Sequence, residues 1–341
     1  MRNLLLLLLS AGLCTGPCTA TAGPAGYDWH LPRGFPKPAV PADNPMSDAK
    51  VALGRRLFFE SRLSVTGRYS CASCHRPERA YTDGRALAVG ATGGRLDRNA
   101  MALVNAAYNI SFGWQHPEIT SLEQQMRQPL FNRHPVELGL AGRGAAVIRA
   151  LAADPDYPRQ FAAAFSRPIT LSNIIKAIAA YERTLIGGDS AFDRYVFGGD
   201  SNALTPEAKR GMALFFSKRL GCGGCHSGFN FAGNWRDTQG ETGPASFADD
   251  GTGVKVRVPT LRDITLTAPY MHDGRYATLD QVIDHYERAG QRAGVRPAVA
   301  PGAHDRRLQP FTLSPAERAE LKAFLASLTS PVTGAAGQSH N

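Results

Sequence analysis

Cys71-Ala72-Ser73-Cys74-His75 and Cys222-Gly223-Gly224-Cys225-His226 are two copies of one five-residue pattern in a chain of 341 residues. Each places two thiols three residues apart on one turn, with histidine immediately after. That spacing lets the thiols reach the two vinyl groups of a haem as thioethers, and the adjacent imidazole becomes the proximal iron ligand. Four exported cysteines also permit two disulfides, and Cys-x-x-Cys occurs in redox dithiols and zinc knuckles. Neither alternative requires His in both copies. The reading is two c-type haem attachment sites.

The segments leading into the motifs repeat as well. Gly54-Arg55-Arg56-Leu57-Phe58-Phe59 parallels Gly211-Met212-Ala213-Leu214-Phe215-Phe216, with Ser61 and Ser217 close behind. Each reads as an amphipathic helix that packs Leu and Phe against its haem. The second begins at Thr205-Pro206, a cap followed by Pro in the first turn. Ile174, Ile178, Tyr181 and Leu185 share one face of a helix predicted over 172–185, ending before Gly187-Gly188. Ser314-Pro315-Ala316-Glu317 is a capping box, and Leu321, Phe324, Leu325 and Leu328 form the stripe behind it. No sustained two-residue alternation appears. The expected fold class is mainly α, with two consecutive cytochrome c-like haem domains.

Arg2 followed by the leucine run 4–9 and by Ala20-Thr21-Ala22 reads as a signal peptide cut after Ala22. The apolar stretch 4–13 is about half the ~20 residues a membrane helix needs. A lipoprotein anchor at Cys14 or Cys18 is disfavoured by Leu13 and Pro17 before them. The expected organisation is a leader at 1–22, an N-terminal haem domain at 23–197, a C-terminal haem domain at 198–330 and a disordered Gly/Ala/Ser-rich tail at 331–341. The stretch 187–202, with Gly198-Gly199-Asp200, reads as the linker. These features point to export to the periplasm, with no membrane span. The formal charge of +9 loses Arg2 with the leader, leaving +8, and four haem propionates bring it to roughly +4. No Lys/Arg run interleaved with aromatics supports nucleic-acid binding; an acidic partner and a merely solvated basic face both fit.

Further motifs give the chain a family resemblance. They are Arg98-Asn99, Asn105-Ala106-Ala107, Trp114, Ser121-Leu122-Glu123-Gln124-Gln125, Pro135-Val136-Glu137-Leu138-Gly139, Phe192-Asp193-Arg194-Tyr195 and Val258-Pro259-Thr260-Leu261-Arg262. Thr267-Ala268-Pro269-Tyr270-Met271-His272-Asp273-Gly274, followed by Thr278-Leu279, is the most telling. From Pro41 to Leu328 the chain resembles the bacterial dihaem cytochrome c peroxidase and MauG family.

The resemblance implies roles. No histidine lies between His75 and Asn99, where many family peroxidases carry a distal His, so the His75 haem is expected to be open. Tyr286 stands seven residues after Leu279, where the peroxidases have a Met ligand; with His226 it would hold the second iron, as in MauG-like enzymes. A phenolate stabilises higher oxidation states, whereas a thioether favours ferrous iron. The alternative is a packed aromatic, with Met271 or His285 as ligand. Glu137 matches the distal carboxylate, with Gln125 and Pro129 nearby, although the spacing from Pro129 is longer than the family's and a solvent-exposed glutamate is the alternative. His116 and His134 read as polar loop residues. Trp114 matches the inter-haem tryptophan, though a Trp alone is more often core. His272 matches a haem-pocket histidine. The Asn99 side chain and the carbonyls of Thr267 and Pro269 match a Ca2+ site between the domains, suited to a hard cation.

One departure concerns the partner. MauG has a surface tryptophan just before the second motif, where this chain has Leu220 and Gly221; Trp235 is the nearest candidate exit. Asn44-Pro45-Met46, the Trp114 loop and the 135–139 segment resemble methanobactin-associated MauG relatives, which oxidise a tryptophan on a small copper-binding partner. The expectation is a periplasmic enzyme that uses hydrogen peroxide to oxidise an aromatic residue, Trp, of a partner protein through an oxidation shared by both haems. The rivals are a peroxidase fed by a small c-type cytochrome and a dihaem electron carrier without chemistry of its own.

Overall fold

The computed structural model describes residues 27–233, 236–237, 239–241, 247–249, 254–288 and 308–331. The leader cut after Ala22, Trp235 and the tail beyond 331 lie outside the described residues. Ten α-helices are described: α1 (Asp48–Phe58), α2 (Leu122–Gln125), α3 (Arg127–Phe131), α4 (Gly144–Ala152), α5 (Asp156–Phe165), α6 (Leu171–Arg183), α7 (Ala191–Val196), α8 (Pro206–Phe215), α9 (Leu279–Glu287) and α10 (Pro315–Ala326). The strands described form two short antiparallel hairpins, Arg236–Asp237 with Gly240–Glu241 and Phe247–Asp249 with Lys255–Arg257. The fold is largely helical. Among the described residues, no helix is long and apolar enough to cross a membrane.

The repeated glycines set the architecture. A Cβ on Gly54 would stand 1.9 Å from the carbonyl oxygen of Ala177, so α1 crosses α6 backbone against backbone. Gly211 is its counterpart: a Cβ there would stand 1.9 Å from the carbonyl oxygen of Glu320, where α8 crosses α10. Four residues beyond each contact, Tyr181 and Phe324 pack on Phe58 and Phe215, with ring centroids 5.3 and 5.1 Å apart. Each crossing seeds one apolar core, the first around Leu53, Leu57 and Phe58, the second around Phe215, Phe231 and Phe324. Gly54→Ala and Gly211→Ala should each lower stability by about 1–3 kcal/mol, because the backbones must move apart. Gly94, whose added Cβ would come no closer than 3.9 Å to a neighbour, is the neutral control. Thermal unfolding would check this; equal midpoints for all three variants would refute the close crossing.

The caps follow the sequence closely. Ser314 and Glu317 exchange both capping-box hydrogen bonds, 3.2 and 2.9 Å, and Pro206 opens α8 behind Thr205. The 172–185 helix starts one residue early, because the Thr170 hydroxyl caps the Asn173 N–H at 3.1 Å, and it ends at Arg183 rather than Leu185.

The 187–202 stretch is more than a linker. It contains α7, closed by a capping box between Ser190 and Asp193. Phe192 packs in the second core, and the Asp193 carboxylate accepts two bonds from the fully buried Arg262 guanidinium, 2.8 and 2.7 Å. Packing therefore assigns α7 to the second core, whereas the expected boundary between 197 and 198 left it with the first. A glycine-rich ending masked a helix whose partner lies 69 residues away.

Candidate active site

Each Cys-x-x-Cys-His motif folds as a single 3-10 turn. His75 N–H donates to the Cys71 carbonyl and His226 N–H to the Cys222 carbonyl, both at 2.9 Å. The two thiols and the imidazole of each motif therefore face one wall. Nδ1 of His75 lies 2.8 Å from the Tyr81 carbonyl, and Nδ1 of His226 lies 2.9 Å from that of Phe231. Donation to a carbonyl commits the Nδ1 hydrogen and leaves Nε2 with the lone pair a metal needs. Burial pushes both imidazoles toward the neutral form. Burial drives the Cys74 and Cys222 thiols up to about 11.

Two cavities adjoin these turns. The first, about 360 Å³, is lined by Cys71, Cys74, His75, Gln125, Pro129 and Glu137. The second, about 230 Å³, is lined by Cys222, Cys225, His226, Met271, His272 and Tyr286. Trp114, Asn99 and Arg257 line both.

In the first cavity, Gln125 and Pro129 come from α2 and α3. The Ser121 hydroxyl caps α2, and Glu123 anchors it from behind by accepting bonds from Arg183 at 2.7 Å and Asn44 at 2.7 Å. The Gln125 side-chain oxygen is buried without a hydrogen-bond partner. The carbonyls flanking Glu137 hold its segment to the wall: Gly90 packs on the Val136 carbonyl, and the Ala91 N–H donates to the Glu137 carbonyl at 2.7 Å. Glu137 is half-buried in the cavity wall, and burial lifts its carboxyl to about 7. His116 reaches the rim of this cavity but is half exposed and paired with Glu118 at 2.9 Å; His134 is exposed and lies outside the lining.

In the second cavity, α9 decides between neighbouring side chains. Tyr286 faces the cavity, whereas buried His285 turns away to the Tyr276 hydroxyl, 3.2 Å from its Nδ1. Met271 shares the lining. The Trp114 indole N–H donates to the Asn99 carbonyl at 2.9 Å, and its ring stands 6.4 Å from that of buried His272. The Asn99 N–H donates to the His272 carbonyl at 2.8 Å, while its side-chain NH2 donates to the Arg85 carbonyl at 2.7 Å, leaving Oδ1 available. Thr267 and Pro269 line the same cavity as Asn99.

Two groups escaped the sequence reading. Arg257 is 8% exposed and, among the described residues, has no carboxylate partner; its side chain reaches Asn109 at 3.4 Å and the Met101 sulfur at 3.7 Å, and its Nε has none. Desolvation lowers it to about 10. A buried cation without a counter-ion is costly. Set in the wall of both cavities, it fits anionic haem propionates. Glu182, 6% exposed, also lines the first cavity, and burial raises its carboxyl to about 8. The two Cys pairs, the oriented imidazoles and this buried cation all fit two haems.

A family model described as di-haem cytochrome c peroxidase matches residues 48–202. MauG of Methylorubrum extorquens is 36% identical over 332 residues, spanning 92% of this chain and 89% of its own. The chain belongs to this family. It is accordingly a haem-dependent oxidoreductase that acts on peroxide, with two haems of the c type. Within the family it is also 34% identical to the cytochrome-c peroxidase IdrP1 of Denitromonas iodatirespirans, over 96% of this chain and 93% of that one. A solved MauG-like protein associated with microbial copper homeostasis superposes with a TM-score of 0.84 at 37% identity, covering 89% of this chain and 96% of that one.

Proposed function

We propose that this chain is a periplasmic MauG-like enzyme that uses hydrogen peroxide to oxidise an aromatic side chain, a tryptophan, on a partner protein. The observation that carries this reading is Tyr286 in the wall of the His226 cavity, with His285 turned away. When bound, the two haems would supply the redox chemistry for peroxide cleavage. His75 and His226 would hold one iron each, and Tyr286 would offer an anionic oxygen to the second. Glu137 takes a proton from the near peroxide oxygen and returns it to the leaving one, a task matched by its position near neutrality. Gln125 and Pro129 shape the open face of the first cavity, which has no imidazole supplied from the 76–98 loop. Trp114 spans the two cavities as the electron relay, and His272 contacts the second haem's pocket. Asn99 Oδ1 with the Thr267 and Pro269 carbonyls would hold Ca2+ between the halves. Similarity to the copper-associated MauG-like protein supports a small exported copper-binding partner.

Met271 in the second cavity favours one other reading, a peroxidase fed by a small c-type cytochrome. Spectra of the mature diferric protein separate the two. One high-spin and one low-spin haem, with a peroxide-induced form that persists without a donor, supports the MauG-like enzyme. Rapid turnover with reduced cytochrome c, only after one-electron reduction, would replace that reading by the peroxidase. Two low-spin haems indifferent to peroxide would leave a simple electron carrier.

A further inference from the structure

The two proximal sides share one plan and differ in chemistry. In the first half, the residue whose carbonyl accepts the proximal His hydrogen bond is Tyr81; in the second it is Phe231. Phe58 stands 6.1 Å from Tyr81 and 5.3 Å from Tyr181. Phe215 stands 6.0 Å from Phe231 and 5.1 Å from Phe324. Tyr181 and Phe324 each lie four residues beyond the contact made by the crossing glycine. The same cage is therefore built twice, with phenyl rings in one copy and two phenols in the other.

Packing does not account for the phenols. Tyr81 is 4% and Tyr181 1% exposed, in a mainly aliphatic and phenyl core whose third buried phenol, Tyr157, has a carboxylate partner in Glu60. The Tyr81 and Tyr181 hydroxyls lie 3.4 Å apart, and among the described residues each is the other's hydrogen-bond partner. Hydroxyls in an apolar core cost desolvation that a single long hydrogen bond offsets poorly, and the second half shows that phenyl rings fill this space. What phenols add is the capacity to lose an electron together with a proton.

We propose that Tyr81, paired with Tyr181, is an internal oxidation site that takes one oxidising equivalent of peroxide when no partner protein is docked. This rests on the reading that peroxide reacts in the His75 half. Reducing H2O2 to two waters takes two electrons and two protons. Tyr81 gives one electron through the His75 side and becomes a phenoxyl radical. Its O–H proton passes over the Tyr181 contact, in which either hydroxyl can donate, and is released to solvent, while a solvent proton reaches the water formed. The second electron comes from the iron of the second half and the second proton from solvent. The site spares the haems and the cavity lining from a stored oxidation that has nowhere to go.

The test is electron paramagnetic resonance on the diferric holoenzyme, frozen rapidly after one equivalent of hydrogen peroxide without partner, with peroxide consumption followed separately. An organic radical signal is expected, and it should narrow in protein grown on ring-deuterated tyrosine. Tyr81→Phe should abolish it, and Tyr181→Phe should cut its yield severalfold, while resting haem absorption stays that of the wild type. A wild-type signal in Tyr81→Phe, or no tyrosine-derived signal although peroxide is consumed, would overturn the proposal and leave the peroxide reading intact. If peroxide is not consumed at all, both fall together.

Discussion

Glu137→Gln is expected to slow the reaction of the diferric enzyme with hydrogen peroxide by about 10²–10⁴-fold, the range lost with a positioned acid–base group. Glutamine keeps the shape and polarity of the side chain but cannot carry a proton from one peroxide oxygen to the other. The pH dependence gives a second readout. Burial holds the carboxyl up to about 7, so the base form is scarce at pH 5 and dominant at pH 9. The bimolecular rate should therefore rise with pH through about 7 in the wild type and run flat across that window in Glu137→Gln. Stopped-flow absorption at a series of pH values measures both. A variant that reacts at the wild-type rate would remove Glu137 from the mechanism.

Tyr286→Phe is expected to erase the low-spin spectrum of the second haem and to lower partner oxidation at least about tenfold, equivalent to about 1.4 kcal/mol of barrier. The phenyl ring keeps the packing of α9 against the second cavity while deleting the only oxygen Tyr286 offers. Tyr286→Met sharpens the comparison, because a thioether favours the reduced metal. That variant should acquire a higher potential at the second haem and turnover with reduced cytochrome c. Low-spin signals unchanged in Tyr286→Phe would mean that Met271, which shares the cavity, is the ligand instead.

How far these residues were legible in the sequence depended on the range of the interaction. The haem turns and the Ser314 capping box are written locally, so their meaning survives without coordinates, whereas Gly54 and Gly211 show as a repeat but their helix crossings do not. Glu137, Tyr286 and Trp114 have little local signal and were reached through motif spacing; Glu137 lines the first cavity, Tyr286 the second and Trp114 both. Asp193 and Arg262 illustrate the opposite limit. Each sits in a motif that carries the family resemblance, yet nothing in either motif pairs one with the other; only folding turns them into a buried bidentate pair. Arg257 beside Val258 looks like any solvated arginine until its surroundings are known, since burial is not a property of the residue type. Glu182 is hidden in the same way: its neighbour Arg183 suggests a surface pair, yet Arg183 turns back to Glu123.

The position of Arg257 carries a consequence for how such an enzyme is tuned. Its one guanidinium is a shared electrostatic reference, felt from both walls through a poorly polarisable medium. Neutralising it would drag the reduction potentials of both metal centres in the same direction. Independent adjustment of either centre must then come from groups private to one side, such as Glu182 or Tyr286.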